Sequence, residues 1–201
     1  MFTGIIQAVG SIASVEWMGD DLRLGISSGA MSLEDLDIGE SIATNGVCLT
    51  AFAPLESGHG FYADLSVETL RLTTAHQWQL GTKVNLERSL QAQSRLGGHF
   101  VSGHVDGMGH IAAIENRGRS YWYKVYMPQP LRKYVAVKGS IGVDGVSLTV
   151  NAIDTEHFEL TIIPHTLEQT CFGQYSVGCK VNLEVDTIAR YLEQLLAARD
   201  A

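Results

Sequence analysis

Apolar and polar residues alternate along most of this chain with a period of two. Ser11–Val15, Leu22–Ile26, Gly60–Leu65 and Lys83–Glu87 are short, rich in apolar or β-branched residues, and bounded by Gly, Asp, Asn and Ser. Tyr121–Met127, Ser147–Ile153 and Phe158–Ile163 repeat the pattern further along. Side chains that alternate in this way face opposite sides of a strand, so each segment predicts a half-buried strand and the whole predicts an all-β fold. Two short helical candidates interrupt the strands, Ser32–Leu36 and Pro130–Val135, with Pro130 suited to a first helical turn. After residue 186 the period changes. Asp186 or Thr187 can cap a helix in which Ile188, Tyr191, Leu192 and Leu195 follow at helical spacing, to about Ala198.

The pattern occurs twice because the sequence does. Residues 40–51 and 139–150 align without a gap, sharing Ser-Ile, then Gly-Val, then Leu-Thr. Gly10–Glu16 is echoed by Gly109–Glu115, and Gly81–Glu87 by Gly178–Glu184. The offset is 99 in the early blocks and 97 in the later ones, which places two extra residues of the first half in a turn around Leu55–Gly60. Two units of about 95 residues are too long and too few for a solenoid, so they are two copies of one domain. Their boundary falls near the polar stretch Gln91–Gly97. Six strands in such a unit favour a small closed barrel or a sandwich, because closure removes exposed edges. The terminal helix has no counterpart in the first half; its apolar stripe could pack on its own barrel, but with both barrels closed without it the stripe is expected to join subunits.

The copies differ at informative positions. Asn45 becomes Asp144, Cys48 becomes Ser147, Ile5 becomes His104 and Glu68 becomes His165. Polar groups kept in a duplicated column suggest a small-molecule site in each half, and a histidine on one side only suggests an asymmetric proton-handling role. Ser147 and Thr149, two apart, share one face of their strand.

Composition narrows the function. The 201 residues are 45% hydrophobic and 18% charged, ordinary for a folded protein, and the net charge of −8 argues against a nucleic-acid or anionic-membrane partner. No apolar run is long enough to span a bilayer, and the N-terminus lacks the pattern of a signal peptide. Three cysteines without Cys-x-x-Cys spacing point to a reducing compartment, the cytoplasm. His99, His104 and His110 do not make a zinc set, and no phosphate-loop or dinucleotide fingerprint is present. Hydrolase chemistry from Ser147, His104 and Asp144 would lack a nucleophile-elbow motif.

Taken together, Met1–Ile6, Asn45–Thr50, Glu68–Arg71, Gly97–Gly107, Asp144–Thr149 and Ile163–Glu168 resemble the riboflavin synthase family of lumazine-binding tandem-barrel proteins, from Met1 to about Leu196. Thr44 departs from the pattern, where Val or His is expected before Asn-Gly. The resemblance implies two tandem six-stranded Greek-key β-barrels, over 1–96 and 97–186, and a C-terminal helix over 187–201 that gathers three chains into a homotrimer. It implies the substrate 6,7-dimethyl-8-ribityllumazine, two molecules of which react by transfer of a four-carbon unit to give riboflavin and 5-amino-6-ribitylaminouracil. It implies no metal, nucleotide or redox cofactor, facing pockets contributed by different chains, and lumazine synthase as a candidate partner.

Site residues follow from the same resemblance. His104 is the leading base or relay for a C7-methyl proton, with Asp144 as its orienter. Ser41, Cys48, Ser147 and Thr149 are candidate hydrogen-bonding or transiently nucleophilic groups, and Lys138 is placed at a ribityl hydroxyl or ring carbonyl. Substrate contacts are expected from Gly4, Ile5 and Ile6, from Cys48, Leu49 and Thr50, and from Asp64, Leu65, Ser66, Val67, Glu68 and Thr69. In the second half they are expected from Gly103, His104 and Val105, from Ser147, Leu148 and Thr149, and from Ile162, Ile163, Pro164, His165, Thr166, Leu167 and Glu168. Each half is thereby expected to hold a complete copy of its own site. The rival function is a lumazine- or flavin-carrying protein of the same fold without turnover, which would be expected to have lost the polar motifs of one half. A flavin reductase on a similar barrel would need a dinucleotide-binding domain.

Overall fold

The computed structural model describes residues 1–199. In the first half the strands are β1 (Ala8–Met18), β2 (Asp21–Ser27), β3 (Ser41–Thr44), β4 (Val47–Thr50), β5 (Ala53–Pro54), β6 (Gly60–Leu65) and β7 (Lys83–Arg88). The second half repeats them as β8 (Gly107–Arg117), β9 (Ser120–Tyr126), β10 (Ser140–Val143), β11 (Val146–Thr149), β12 (Ala152–Ile153), β13 (His157–Ile162) and β14 (Lys180–Val185). The sheet orders are β4-β3-β7-β1-β2-β6-β5 and β11-β10-β14-β8-β9-β13-β12, the same topology twice.

Each sheet has seven strands rather than the expected six, because one strand bends. The segment expected as Ser147–Ile153 breaks after Thr149, where the chain changes partners: Val150 N–H donates to Gly139 O at 3.0 Å, and Asn151 N–H to Glu159 O at 2.8 Å. Ala51 and Phe52 do the same in the first half, bonding Glu40 O at 2.9 Å and Tyr62 O at 3.0 Å. A single bent strand therefore supplies both ends of each sheet and closes the barrel. Each barrel encloses its own core, built on Ile12, Leu24, Ile26, Ile42, Phe61 and Leu86 in the first and on Ile111, Val125, Ile141, Phe158, Leu160 and Leu183 in the second.

Helical expectations need correction. Ser32–Leu36 holds a single turn, with Leu36 N–H on Leu33 O at 3.1 Å, and Ser32 Oγ takes the Glu34 N–H at 3.4 Å; a serine that bonds its neighbouring backbone competes with helix formation. Pro130–Val135 is a 3-10 helix over Gln129–Tyr134. Two short helices went unanticipated: α1 (Val67–Leu72), capped by Ser66, and α2 (Pro164–Gln169), with Pro164 in its first turn. The terminal helix α3 spans Thr187–Arg199 and buries no residue. Asp200 and Ala201, the end of the expected 187–201 unit, lie outside the described residues. Among the described residues no helix is long and apolar enough to cross a membrane.

The halves meet at two hairpin turns. Asn45-Gly46 and Asp144-Gly145 all have positive φ, as a two-residue type I′ turn requires. They pack back to back so closely that a Cβ on Gly46 would stand 2.7 Å from the Gly145 nitrogen. Around them two buried asparagines exchange bonds: Asn85 Nδ2 donates to Asp144 O at 3.0 Å, and Asn182 Nδ2 to Asn45 O at 2.8 Å.

Candidate active site

The segments ahead of each barrel, residues 2–6 and 101–105, run side by side and then cross. Phe2 N–H donates to Val101 O at 2.7 Å, and Val101 N–H to Phe2 O at 3.1 Å. Beyond that bridge each segment leaves its own half. Gly4 O accepts the Ser147 N–H at 2.8 Å and Ile6 packs on the second core; Gly103 O accepts the Cys48 N–H at 2.9 Å and Val105 packs on the first. Glycine is required at both crossings, since φ is +76° at Gly4 and +80° at Gly103, and a Cβ on either would lie 2.6 Å from the Cβ of Ser147 or Cys48. The expectation that each half carries its own complete site is therefore overturned: each barrel borrows a wall from the other half.

The first pocket is a cavity of about 210 Å³. Cys48 on β4, Glu68 and Thr69 in α1, and Gly103, His104 and Val105 of the borrowed segment line it. The first turn of α1 carries acidic Glu68, whose carboxylate is held below its ordinary range by the hydrogen bond from Arg71 at 2.7 Å. Leu49 and Leu65, expected as contacts, are core residues behind this wall. Ser41 faces Thr50 across the β3–β4 pair, Asp64 is exposed on β6 and paired with Arg23 at 2.8 Å, and Ser66 and Val67 begin α1.

The second barrel presents the equivalent surfaces. Ser147 and Leu148 on β11 are half-buried, Thr149 is exposed opposite Ser140, and exposed Lys138 (φ +67°) leads into that hairpin. Ile163 caps α2, which contains Pro164, His165, Thr166, Leu167 and Glu168; Ile162 is core and Leu167 packs on it. Ile5, half-exposed, lies between Gly4 on Ser147 and Ile6 on the second core.

The pairing of His104 with Asp144 is not formed. Asp144 is 2% exposed and belongs to the junction between the halves, where its carboxylate accepts the Tyr175 hydroxyl at 2.6 Å and the Asn182 N–H at 2.8 Å. Burial pushes it up to about 7, against those two hydrogen bonds. Position 45/144 is polar in both copies because a turn and a buried junction need it so. Asn45 Oδ1 likewise accepts the Asn85 N–H at 2.7 Å. Asp106, two residues beyond His104, is held by the Val185 N–H at 2.8 Å and by Arg190 of α3 at 3.0 Å.

Two further features escaped the sequence reading. His99 is buried, and its Nδ1 lies 2.7 Å from Ser147 Oγ while Nε2 has no partner; burial lowers its pKa, which favours the neutral ring. Glu87 and Glu184, the last residues of the repeated Lys-Val-Asn-Leu-Glu, are 3% exposed and bind the crossing segments. The available signal was a carboxylate two positions from an asparagine on one strand face, kept in both copies.

The model of the lumazine binding domain matches residues 3–89 and again 102–186, which defines the class as a tandem lumazine-binding-domain protein. Over 98% of its length the chain is 45% identical to the riboflavin synthase of Photobacterium leiognathi, covering 89% of that protein. It is 42% identical to that of Bacillus subtilis (98% of this chain, 90% of that one) and 44% to that of Mycobacterium bovis (98% of each). A crystal structure of LumP complexed with riboflavin superposes with a TM-score of 0.84 at 26% identity, over 92% of this chain and 99% of that one. The chain belongs to the riboflavin synthase family.

Proposed function

We infer that the protein is a riboflavin synthase, a transferase that converts two molecules of 6,7-dimethyl-8-ribityllumazine into riboflavin and 5-amino-6-ribitylaminouracil. The observation that carries this reading is that the first barrel keeps a polar pocket wall of Cys48, Glu68 and His104, and that the second barrel repeats its elements with Ser147 on β11, bonded to His99, and His165 on α2. A reaction between two identical molecules suits two homologous pockets, one holding the donor of the four-carbon unit and the other its acceptor. Because one substrate loses what the other gains, the atoms balance without a further reactant.

The chemistry asked of the protein is modest. The C7-methyl carbanion delocalises into the lumazine ring, so positioning two rings contributes most; in favourable intramolecular cases proximity supplies about 7–11 kcal/mol. His104, accessible at the pocket, takes the role of base or relay for the methyl proton. Cys48 and Ser147, with Ser41, Thr149 and Lys138 further out on the hairpins, serve as hydrogen-bonding groups. Units of 1–96, 97–186 and 187–201 divide the work into two pockets and an assembly helix. The assembly is a homotrimer in the cytoplasm, with facing pockets from different chains. Support for the helix role comes from Ile188, Tyr191, Leu192 and Leu195, each more than half exposed along α3.

The likeness to LumP favours one second reading, a protein that holds lumazine or flavin without turnover. Incubation with 6,7-dimethyl-8-ribityllumazine separates the two: riboflavin fluorescence that grows beyond one equivalent per chain supports the synthase, whereas a bound ligand recovered unchanged supports the carrier.

A further inference from the structure

Glu87 and Glu184 each meet three donors. Glu87 accepts the Thr3 N–H at 2.7 Å, the Thr3 hydroxyl at 2.6 Å and the Gly4 N–H at 2.9 Å. Glu184 accepts the Ser102 N–H at 2.6 Å, the Ser102 hydroxyl at 2.6 Å and the Gly103 N–H at 2.9 Å. Successive backbone N–H groups that converge before a left-handed glycine form a concave anion-binding nest, and here a side-chain carboxylate fills it. Removing either acceptor would strand donors in a buried place, so the segment would have to move out to find water.

The direction of the hold matters. Glu87 stands on β7 of the first barrel, yet the residue it secures, Gly4, bonds Ser147 of the second. Glu184 stands on β14 of the second barrel, yet Gly103 bonds Cys48 of the first and leads directly into His104. One residue separates each carboxylate from the strand it affects, and that strand lies in the other half: Cys48 of the first pocket for Glu184, and Ser147 on β11 for Glu87. A carboxylate kept only to stabilise its own barrel would have no reason to end on this wall.

We propose that Glu87 and Glu184 are crossed positioning residues for the reaction, Glu184 setting the first pocket's His104–Cys48 wall and Glu87 setting the equivalent Ser147 strand of the second barrel. This rests on the riboflavin synthase reading for its catalytic consequence, but the crossed geometry can be tested without turnover. In the full chain, Glu184→Gln preserves the side chain's shape while presenting an NH₂ group to one of the donors, and Glu87→Gln does the same on the other side.

The test is amide hydrogen exchange at Cys48 and Ser147, followed together with steady-state formation of riboflavin from 6,7-dimethyl-8-ribityllumazine. Glu184→Gln is expected to accelerate exchange at Cys48 about tenfold or more and to leave Ser147 within about twofold, as the loss of one charged hydrogen bond would do. Glu87→Gln should give the reverse pattern, and both should lower kcat/KM at least about tenfold. Acceleration at both amides in each variant would mark general loosening and overturn the proposal, as would no acceleration at either. Should a Gln variant fail to fold, Thr3→Ala and Ser102→Ala remove a single hydroxyl donor from each nest and must show the same crossed pattern in weaker form. If the wild type makes no riboflavin, the functional reading fails while the exchange pattern still decides the crossed geometry.

Discussion

Asp144→Asn is expected to raise stability at alkaline pH and to flatten its pH dependence. The fold supplies the precedent, because the first copy already carries Asn45 at this position with its Oδ1 on the Asn85 N–H at 2.7 Å. An amide introduced at position 144 can keep the bond from the Asn182 N–H and turn its NH₂ toward the Tyr175 oxygen, so the exchange removes a buried charge and little else. In the folded protein Asp144 is pushed up to about 7 from an ordinary 3.8. A carboxylate raised on folding keeps its proton longer in the native state, which binds more protons than the unfolded chain between those two values. Its contribution is therefore fully present below about pH 4 and is lost as pH rises to about 7. Three pH units correspond to roughly 4 kcal/mol at most, and about 2–3 kcal/mol of it falls between pH 5 and 7.

Urea denaturation of both proteins at pH 5 and pH 8 measures this directly. Glu87, Glu184 and Asp106 are also raised by burial and His99 is lowered, but all four are common to both proteins and cancel in the difference. Tyr175 and Cys171 beside Asp144 are pushed upward, the thiol to about 12, and stay neutral throughout. Relative to wild type, Asp144→Asn should gain about 2–3 kcal/mol between pH 5 and pH 8. Parallel stability profiles for the two proteins would refute the assignment of Asp144 as a buried junction residue whose carboxyl is pushed up to about 7.

Three other outcomes follow from the same geometry. His104→Gln should lower kcat about 10²–10⁴-fold with little change in lumazine affinity, whereas half-exposed Ile5→Val should stay near wild type; an undiminished kcat in the first variant would end the proton-transfer role. Deleting residues from Asp186 onward should leave a folded but dissociated chain by sedimentation, because α3 buries nothing and is tied to the barrel by Arg190–Asp106 at 3.0 Å and by Lys133 and Tyr134 to Glu193. An unchanged assembly would assign the contacts elsewhere. Thr44→Val should stabilise the protein by about 1 kcal/mol, seen as a melting point higher by roughly 2–4 °C, since the Thr44 hydroxyl is buried without a partner and the replacement keeps its shape; a lowered melting point would mean that the hydroxyl is satisfied.

Local pattern was enough for much of this molecule. The period-two alternation marks strands such as Gly60–Leu65 and Phe158–Ile163 because their inward side chains must be apolar in any barrel, and the tandem repeat follows from comparing the chain with itself. The family motifs and the exposed stripe of α3 are likewise written in neighbouring residues. Short capped helices were harder to see. In α1 and α2 a six-residue segment offers less than two turns of periodicity, too little to stand out from a loop.

The site was decided by contacts between residues far apart in the chain. Thr3 meets Glu87 across 84 positions, His99 meets Ser147 across 48, and Asn182 reaches Asn45 across 137. Nothing periodic connects such pairs. The sequence could show that Cys48 and Ser147 occupy equivalent columns, but not that each column receives its wall from the other half. It could show that position 144 stays polar, but not whether the carboxylate faces a ligand or a junction, since both demand a hydrogen-bonding group. Tertiary structure settles these choices because burial and chain crossing, rather than residue type, determine which donors a carboxylate meets and whether it keeps its charge.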